Sequence, residues 1–472
     1  MKKILHDIEL EIKNVPALDE NFIPAQKFNE AFLARATKPL AIAVERNGGY
    51  TYVYDTLIRE GEAYEAANKF YVERIVKSIL WCVGGFRITI CGDDSMAAYI
   101  KSTYAPSGER AFDHKTMGKV YENAKKFEVL GAAYSEKPME QKSTRPIGRN
   151  LDGCRIGFDA GGSDRKVSAV VDGKDIYSEE VVWNPKTEAD PEYHFGEIAN
   201  AFKTAAEKMP RVDAIGVSSA GIYIDNQTKI ASLFIKVPED EFDKKIKDIY
   251  IRAAKEIGGD IPIEVCNDGD VTALAGAMSL GDTNILGIAM GTSQAGGYVD
   301  KSGNVTGWLN ELAFVPCDFS PEGSLDEWSG DIGCGAKYFS QDAVIKLAPK
   351  LGITFDDKLS PGEKLKIVQE KTDASGNYTS GVEKIYETIG AYLGHALAYY
   401  SNFYDMKHVL LMGRVTSGKG GDIIVEKAKF VLKDEYPEIS GKINLQLPDE
   451  KSRRIGQSIA AASLPKIQKK TD

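Results

Sequence analysis

Basic charge is in short supply in this chain of 472 residues, where 59 Lys and Arg stand against 69 Asp and Glu for a net charge of -10. General binding to nucleic acid or to an anionic membrane needs a basic face, so neither partner is expected. Long hydrophobic runs are missing too. No segment approaches the ~20 apolar residues of a membrane span, and Met1 to Glu11 alternates charged with apolar residues instead of offering an apolar stretch of signal-peptide length. A cytoplasmic protein is expected. Cysteine is sparse: Cys82, Cys91, Cys154, Cys266, Cys317 and Cys334 are scattered without a CxxC pair, which reads as buried reduced thiols. His194, His395 and His408 lack any mutual spacing that suggests a metal site and read as structural.

What is present is an ordinary globular composition, 43% apolar and 27% charged, with room for about two to four domains. A polar, Pro-containing stretch at 134–152 reads as a linker. Beyond it, strands at 155–158, 167–171 and 176–182, a helix at 197–208, a strand at 214–217, a helix at 242–257 and a strand at 263–266 give a βββαβαβ order. The pattern then restarts with strands at 285–290 and 296–299, helices from Asp342 and at 381–404, a strand at 408–411 and a last helix at 453–463. Tyr392, Leu393, Leu397, Tyr399, Tyr400 and Phe403 recur at helical spacing and read as core.

Chemistry enters at the turns. Asp159-Ala-Gly-Gly-Ser163 follows one apolar run and Gly291-Thr292-Ser293 another. Glycines let backbone N–H groups approach anionic oxygens, a hydroxyl adds a donor, and an Asp beside the turn can hold Mg²⁺ through water. One such turn is above all a hairpin signal; two suggest cradles for the phosphates of one nucleotide and point to phosphoryl transfer. Asn267-Asp268 heads a small-residue helix. A carboxylate there can take the proton from an attacking hydroxyl, although Asp in that position is also a favoured helix cap.

The stretch from about 153 to 465 resembles the ROK family of sugar kinases in the actin-like ATPase superfamily. The resemblance rests on Ile156-Gly-Phe-Asp-Ala-Gly-Gly-Ser163 (pattern DxGGT), Asn267-Asp268 (NDA), Gly291-Thr292 with Gly296-Gly297 (GTGxGGG), Asn310-Glu311-Leu-Ala-Phe314 (GExGH) and Leu411-Met-Gly-Arg414. It implies an α/β fold of two actin-like, ribonuclease H-like lobes around a cleft, with ATP and Mg²⁺ as cofactors and a sugar as substrate, and it is compatible with a homodimer. In that frame Asp268 is the general base; Asn267, Glu311, Ser219, Ala220 and Gly221 meet the sugar; Asp159, Gly161, Gly162, Ser163, Lys166, Gly291, Thr292, Ser293, Gly413 and Arg414 meet the nucleotide, Asp159 through Mg²⁺. Departures are equally specific. Ser293, Gln294 and Ala295 alter the second turn. Phe314 stands where the family has a zinc-binding His, Cys334 alone remains of a cysteine cluster, and Ala336 replaces a sugar-contacting Glu. One thiolate cannot hold a tetrahedral Zn²⁺, so no zinc is expected. The main alternative to a kinase is a catalytically impaired sugar or nucleotide sensor.

The expected organisation is an accessory α/β region at 1–150, a first lobe at 151–272 and a second at 273–472, whose last helix returns to the first lobe. Within the accessory region, 39–50 echoes 285–298, and helix 63–76, apolar 79–83, strand 86–91 and helix 95–104 echo the block around 384–430. A degenerate copy of the second lobe is one reading, with Glu45-Arg46 where Gly-Thr would be; coincidence is the other.

Overall fold

The computed structural model describes residues 1–122, 125–141, 147–448 and 456–467. By contact the chain divides into two compact units. Unit 1 comprises Met1–Ser143, Ile288–Gly296 and Trp308–Leu447; unit 2 comprises Thr144–Gly287, Gly297–Gly307 and Pro448–Asp472. The first 143 residues thus share a unit with 308–447, and one boundary falls inside the polar stretch at 134–152. Residues 142–146 of that stretch, and 453–455 of the expected last helix, lie outside the described residues.

Unit 1 opens with an antiparallel ribbon, β1 (Lys2–Leu5) and β2 (Ile8–Glu11), and helix α1 (Ala25–Leu33). Strands β3 (Lys38–Glu45), β4 (Thr51–Ile58), β5 (Arg87–Cys91) and β6 (Glu128–Ala132) form a sheet of order β4-β3-β5-β6. Helices α2 (Glu65–Cys82), α3 (Asp94–Thr103) and α4 (Ala111–Val120) connect them. The apolar run expected after a helix at 63–76 is the end of α2 itself. No breaker interrupts it before Gly84 and Gly85, whose φ of 87° and 159° turn the chain.

Unit 2 is built on β7 (Cys154–Ala160), β8 (Asp164–Val171), β9 (Lys174–Val182), β10 (Ala214–Ser219) and β13 (Ile263–Asn267), in the order β13-β10-β7-β8-β9, with a small ribbon of β11 (Ile222–Ile224) and β12 (Gln227–Ile230). β7, β8 and β9 are an antiparallel meander, whereas β10 joins β7 and β13 joins β10 in parallel. Helix α5 (Pro191–Ala206) begins earlier than the expected 197, because Asp190 caps it by accepting the Glu192 N–H at 2.9 Å and Pro191 suits a first turn. The expected helix 242–257 is interrupted. A wide turn at Phe242–Ile246 closes with the Lys247 N–H on the Phe242 carbonyl, Asp248 leaves the helical region, and α6 (Ile249–Lys255) starts afresh. Helix α7 (Asp268–Leu280) is capped by Asn267 and stopped by Gly281, at φ 68°.

The carboxy-terminal helix, Gln457–Ala462, lies directly on this sheet. A Cβ on Gly157 would sit 1.7 Å from the Ser458 carbonyl oxygen, and one on Gly216 would sit 1.7 Å from that of Ala461. Two adjacent strands each give up a side chain where the helix backbone crosses them.

The rest of the chain carries β14 (Ile285–Met290) and β15 (Gln294–Val299), of which unit 1 holds Ile288–Gly296, and β16 (His408–Met412) and β17 (Asn444–Gln446), in the order β15-β14-β16-β17, with α8 (Gln341–Leu347), α9 (Pro361–Gln369), α10 (Glu383–Tyr400) and α11 (Lys419–Glu435). The aromatic stripe of α10 and Phe403 is core, as its spacing implied. The expected α/β fold class is therefore what the chain adopts. The echo between these two sheets extends to strand order, β4-β3-β5-β6 against β15-β14-β16-β17. However, β3 runs antiparallel to β5, whereas β7 and β10 of the turn-bearing sheet in unit 2 are parallel. The β3–β4 turn consequently lies at the end of its sheet opposite to Gly92 and Asp93, so no cradle of the Asp159 type assembles there. All six cysteines are free and buried, His194 and His395 are buried, and among the described residues no helix is long and apolar enough to cross a membrane.

Alanine at Gly157 or Gly216 should lift the carboxy-terminal helix and destabilise by about 1–3 kcal/mol, the usual effect of overpacking. Gly196→Ala, within α5 and with open space around it, should instead stabilise by about 0.4–1 kcal/mol. Thermal melts of the three variants check the contrast; equal melting temperatures would show that the helix is not seated as described.

Candidate active site

Strand register brings the candidate residues of unit 2 into one row. Asp159 on β7 is paired with Ser218 on β10, and Ser219 with Asn267 on β13. All three strands are parallel, so their carboxy-terminal ends meet at one edge of the sheet, the usual place for a ligand in such a sheet.

The Asp159 carboxylate accepts a hydrogen bond from the Ser218 hydroxyl at 2.8 Å. Gln457, on the carboxy-terminal helix, donates its amide to the Ser218 oxygen at 2.9 Å and to the backbone carbonyl of Asp268 at 3.0 Å. One side chain thus ties the strand end that orients Asp159 to the first turn of the helix that carries Asp268. Burial raises the Asp159 carboxyl to about 6; the Ser218 hydroxyl and Lys166 oppose the rise, and the nearby carboxylates of Asp268 and Asp164 add to it. Burial also raises Asp268, against the Gly269 N–H that its carboxylate accepts at 3.0 Å and against the charge of Lys186. Two half-buried carboxylates close enough to feel each other are a place where positive charge is wanted.

The Asp159–Ser163 turn leaves Gly162 and Ser163 exposed. The Trp183 indole donates to the Gly161 carbonyl at 2.8 Å, and the Trp183 N–H to the Ser163 carbonyl at 3.1 Å, so the turn's own amides are not the groups used to hold it. A Cβ on Gly162 would meet the end of the Lys186 side chain at 3.1 Å. Lys166 lies opposite Asp159 on β8.

The sugar-side residues show mixed roles. The Asn267 carbonyl caps α7, accepting the Gly269 N–H at 2.8 Å, and its amide donates to the Gly221 carbonyl at 2.7 Å. The cap is therefore Asn267, leaving both oxygens of Asp268 free of that task beyond the one amide it accepts. Ser219 is fully buried, its hydroxyl shared with Tyr250 at 2.8 Å and Tyr223 at 2.6 Å, so what this segment offers outward is the backbone at Ala220 and Gly221.

In unit 1, the Gly291 turn is closed by its own N–H on the Ser293 carbonyl at 3.0 Å, with Thr292 and Ser293 exposed. Gln294, which departs from the family pattern, does not enter the turn. Its side chain is buried, reaching toward the Tyr400 hydroxyl at 3.5 Å and filling space beside Gly335. Gly413, at φ 99°, brings β16 so close to β14 that a Cβ would stand 2.4 Å from the Met290 carbonyl oxygen. Gly291 and Gly413 are thus gathered at neighbouring strand ends. Arg414 is exposed, its carbonyl accepting from Gln369 at 2.7 Å. Glu311 is half-buried on the loop after β15, and its N–H bonds the Trp81 carbonyl at 3.0 Å.

Gln457 and Lys186 escaped the sequence reading, and Ser218, which the sequence offers with Ser219 to Gly221 only as backbone beside the sugar, uses its hydroxyl on Asp159 instead. Ser218 adjoins Ser219 and points the opposite way, as the period of two implies, but the register that sets Ser218 beside Asp159 has no local signal. Gln457 and Lys186 are isolated polar residues far along the chain from their partners, with no local signal at all.

A family model described as ROK family matches residues 155–435. No curated protein matches the chain. Among solved structures it is similar to a ROK hexokinase from Thermus thermophilus, at 19% identity over 66% of this chain and 97% of that one, TM-score 0.49. A ROK glucokinase from Streptomyces griseus, in complex with glucose and AMPPNP, is similar at 19% identity over 66% and 99%, TM-score 0.46. A ROK transcriptional regulator, homolog of the E. coli MLC protein, is similar at 17% identity over 66% and 79%, TM-score 0.48.

The Asp159 carboxyl should titrate near 6, and Ser218→Ala should move the midpoint higher by removing the hydroxyl that favours the charged form. Its folded value lies above the ordinary 3.8. Protonation therefore favours the fold below that value, and the contribution is lost as pH rises through about 6. Carboxyl NMR titration, with urea midpoints of wild type and Asp159→Asn between about pH 4 and 7, checks both; a midpoint near 4 would contradict the burial argument.

Proposed function

The chain belongs to the ROK family, and from that footing we propose that it transfers the terminal phosphoryl group of ATP to a hydroxyl of a hexose or related sugar, with Asp268 as general base. The observation that carries the reading is the tie from Asp159 through Ser218 and Gln457 to the helix of Asp268. Family membership alone does not decide it, because both kinases and a regulator are among the similar structures.

The roles follow from what each group can do. Asp268 accepts the proton that the sugar hydroxyl sheds as it attacks phosphorus; its raised affinity for that proton brings it nearer the working pH, where a general base is most effective. Gln457 holds the backbone beneath it. The amides of Gly161 and of the exposed Gly162 and Ser163 and the ammonium of Lys186 suit a terminal phosphate, and Lys166 faces the same strand end. Mg²⁺, which prefers a carboxylate with several waters, fits beside Asp159, whose neighbouring acids leave it short of positive charge; there it would neutralise phosphate oxygens. Gly291, Thr292, Ser293, Gly413 and Arg414 are assigned to the rest of the nucleotide, and Glu311, Asn267 and the backbone at Ala220 and Gly221 to sugar hydroxyls. The buried course of Gln294 leaves the Gly291 turn exposed for this use, despite the altered pattern.

Screening sugars with Mg-ATP for ADP release should reveal sugar-dependent turnover. Asp268→Asn should lower kcat about a hundred- to ten-thousandfold with little change in KM for ATP, and Lys186→Met should act chiefly on ATP. Tight sugar binding without turnover on any member of the panel would replace the kinase reading by that of a sensor.

A further inference from the structure

The loop that carries Glu311 is fastened to the amino-terminal segment. The N–H groups of Leu309, Asn310 and Glu311 bond the carbonyls of Val83, Cys82 and Trp81, at 3.4, 3.0 and 3.0 Å, so they cap the end of α2. Downstream, the Cys317 N–H bonds the Gly333 carbonyl at 2.9 Å and the Gly335 N–H the Val315 carbonyl at 3.0 Å. Isolated bridges between Pro316 and Cys334 and between Leu325 and Ile332 likewise join the two arms of this loop.

Beneath them lies a buried ion cluster. Asp331 meets Arg74 at 2.9 Å, Arg110 at 3.0 Å and Lys77 at 3.2 Å. Glu73 pairs with Arg110 at 2.7 Å and with Arg74 at 2.6 Å, and Asp113 with Lys77 at 3.1 Å. Each of the six side chains is at most 8% exposed, and three cations balance three carboxylates. The Trp81 indole N–H donates to Asp113, and its ring packs on Phe314 at 4.3 Å between centroids, with Phe112 against Phe314 at 5.5 Å.

These are the positions at which the family pattern places zinc ligands, and the residues here do not suit that ion. Phe314 has no donor and packs in a three-ring cluster with Trp81 and Phe112; Cys334 has its sulfur 3.6 Å from Asp331, whose carboxylate is already bound by three cations. An ammonium and two guanidinium groups from the amino-terminal segment occupy the electrostatic role of a dication. We propose that residues 65–113 act as a metal-free strut for the loop 309–335, with Lys77, Arg74 and Arg110 on Asp331 and Trp81 on Phe314 as the fastening points that position Glu311. Glu311's part in sugar binding rests on the kinase reading; the strut does not.

Hydrogen exchange by mass spectrometry on the full chain tests it. Wild type should exchange slowly across 309–335 with or without a strong zinc chelator. Lys77→Met should speed exchange there by about tenfold while leaving 154–182 unchanged. Losing one buried partner can unfold a protein, so Lys77→Met/Asp113→Asn, which removes one charge of each sign, serves as the second variant and should loosen the same segment. Where a sugar is turned over, KM for the sugar should rise about tenfold with kcat and KM for ATP little changed. Unchanged exchange at 309–335 in both variants would overturn the strut. So would equimolar zinc whose removal loosens the loop. Absence of turnover with every sugar would strike the kinase reading while leaving the exchange result to decide the strut.

Discussion

Two missing side chains set the geometry of the turn-bearing sheet. Because Gly157 and Gly216 carry no Cβ, the backbone of the carboxy-terminal helix descends onto β7 and β10 until its carbonyls occupy what would be side-chain space. At that separation the amide of Gln457 reaches both the Ser218 hydroxyl and the Asp268 carbonyl. A helix held further out by even a methyl group on each strand would leave Gln457 short of them, and Ser218 and α7 would be oriented by separate parts of the chain. Interiors are packed too closely for such a shift to be absorbed silently.

Unit 1 solves a comparable problem with charge in place of close packing. Its loop at 309–335 has little regular structure, and a loop gains rigidity only from what it is tied to. Here the ties are backbone bonds to the end of α2 and a neutralised set of six buried ionic groups. A balanced cluster of this kind is specific about geometry, since each partner removed strands another charge away from water. In the proposed strut, residues 65–113 have a task separate from the glycine turns and from the proposed base.

Much of this was readable along the chain. Glycine turns after apolar runs, Asp268 at a helix start and the α/β alternation were visible because they depend on neighbours a few residues apart. The assignments that slipped were of another kind. The helix at 191–206 starts at a cap, Asp190-Pro191, that lies ahead of the apolar period; the run 79–83 looked separate from α2 only because burial on every side hides a helix's periodicity. Gln294 looked like damage to a phosphate turn, yet on its strand it faces inward, toward Tyr400.

Local order, then, determined the elements, the turns and the placement of Asp159 near a strand end and Asp268 at a helix start, because φ/ψ preferences, caps and hydrophobic periods act over short stretches. Tertiary structure alone decided that Ser218 rather than Ser219 touches Asp159, that Gln457 bridges two elements some two hundred residues before it, and that Asp331 is neutralised by three cations from α2 and the start of α4. It also reversed β3 against β5, which keeps the amino-terminal sheet from forming a cradle like that at Asp159 despite its familiar strand order. Strand direction, register and long-range ion pairing are set by which surfaces can be buried together, and that depends on the whole chain at once.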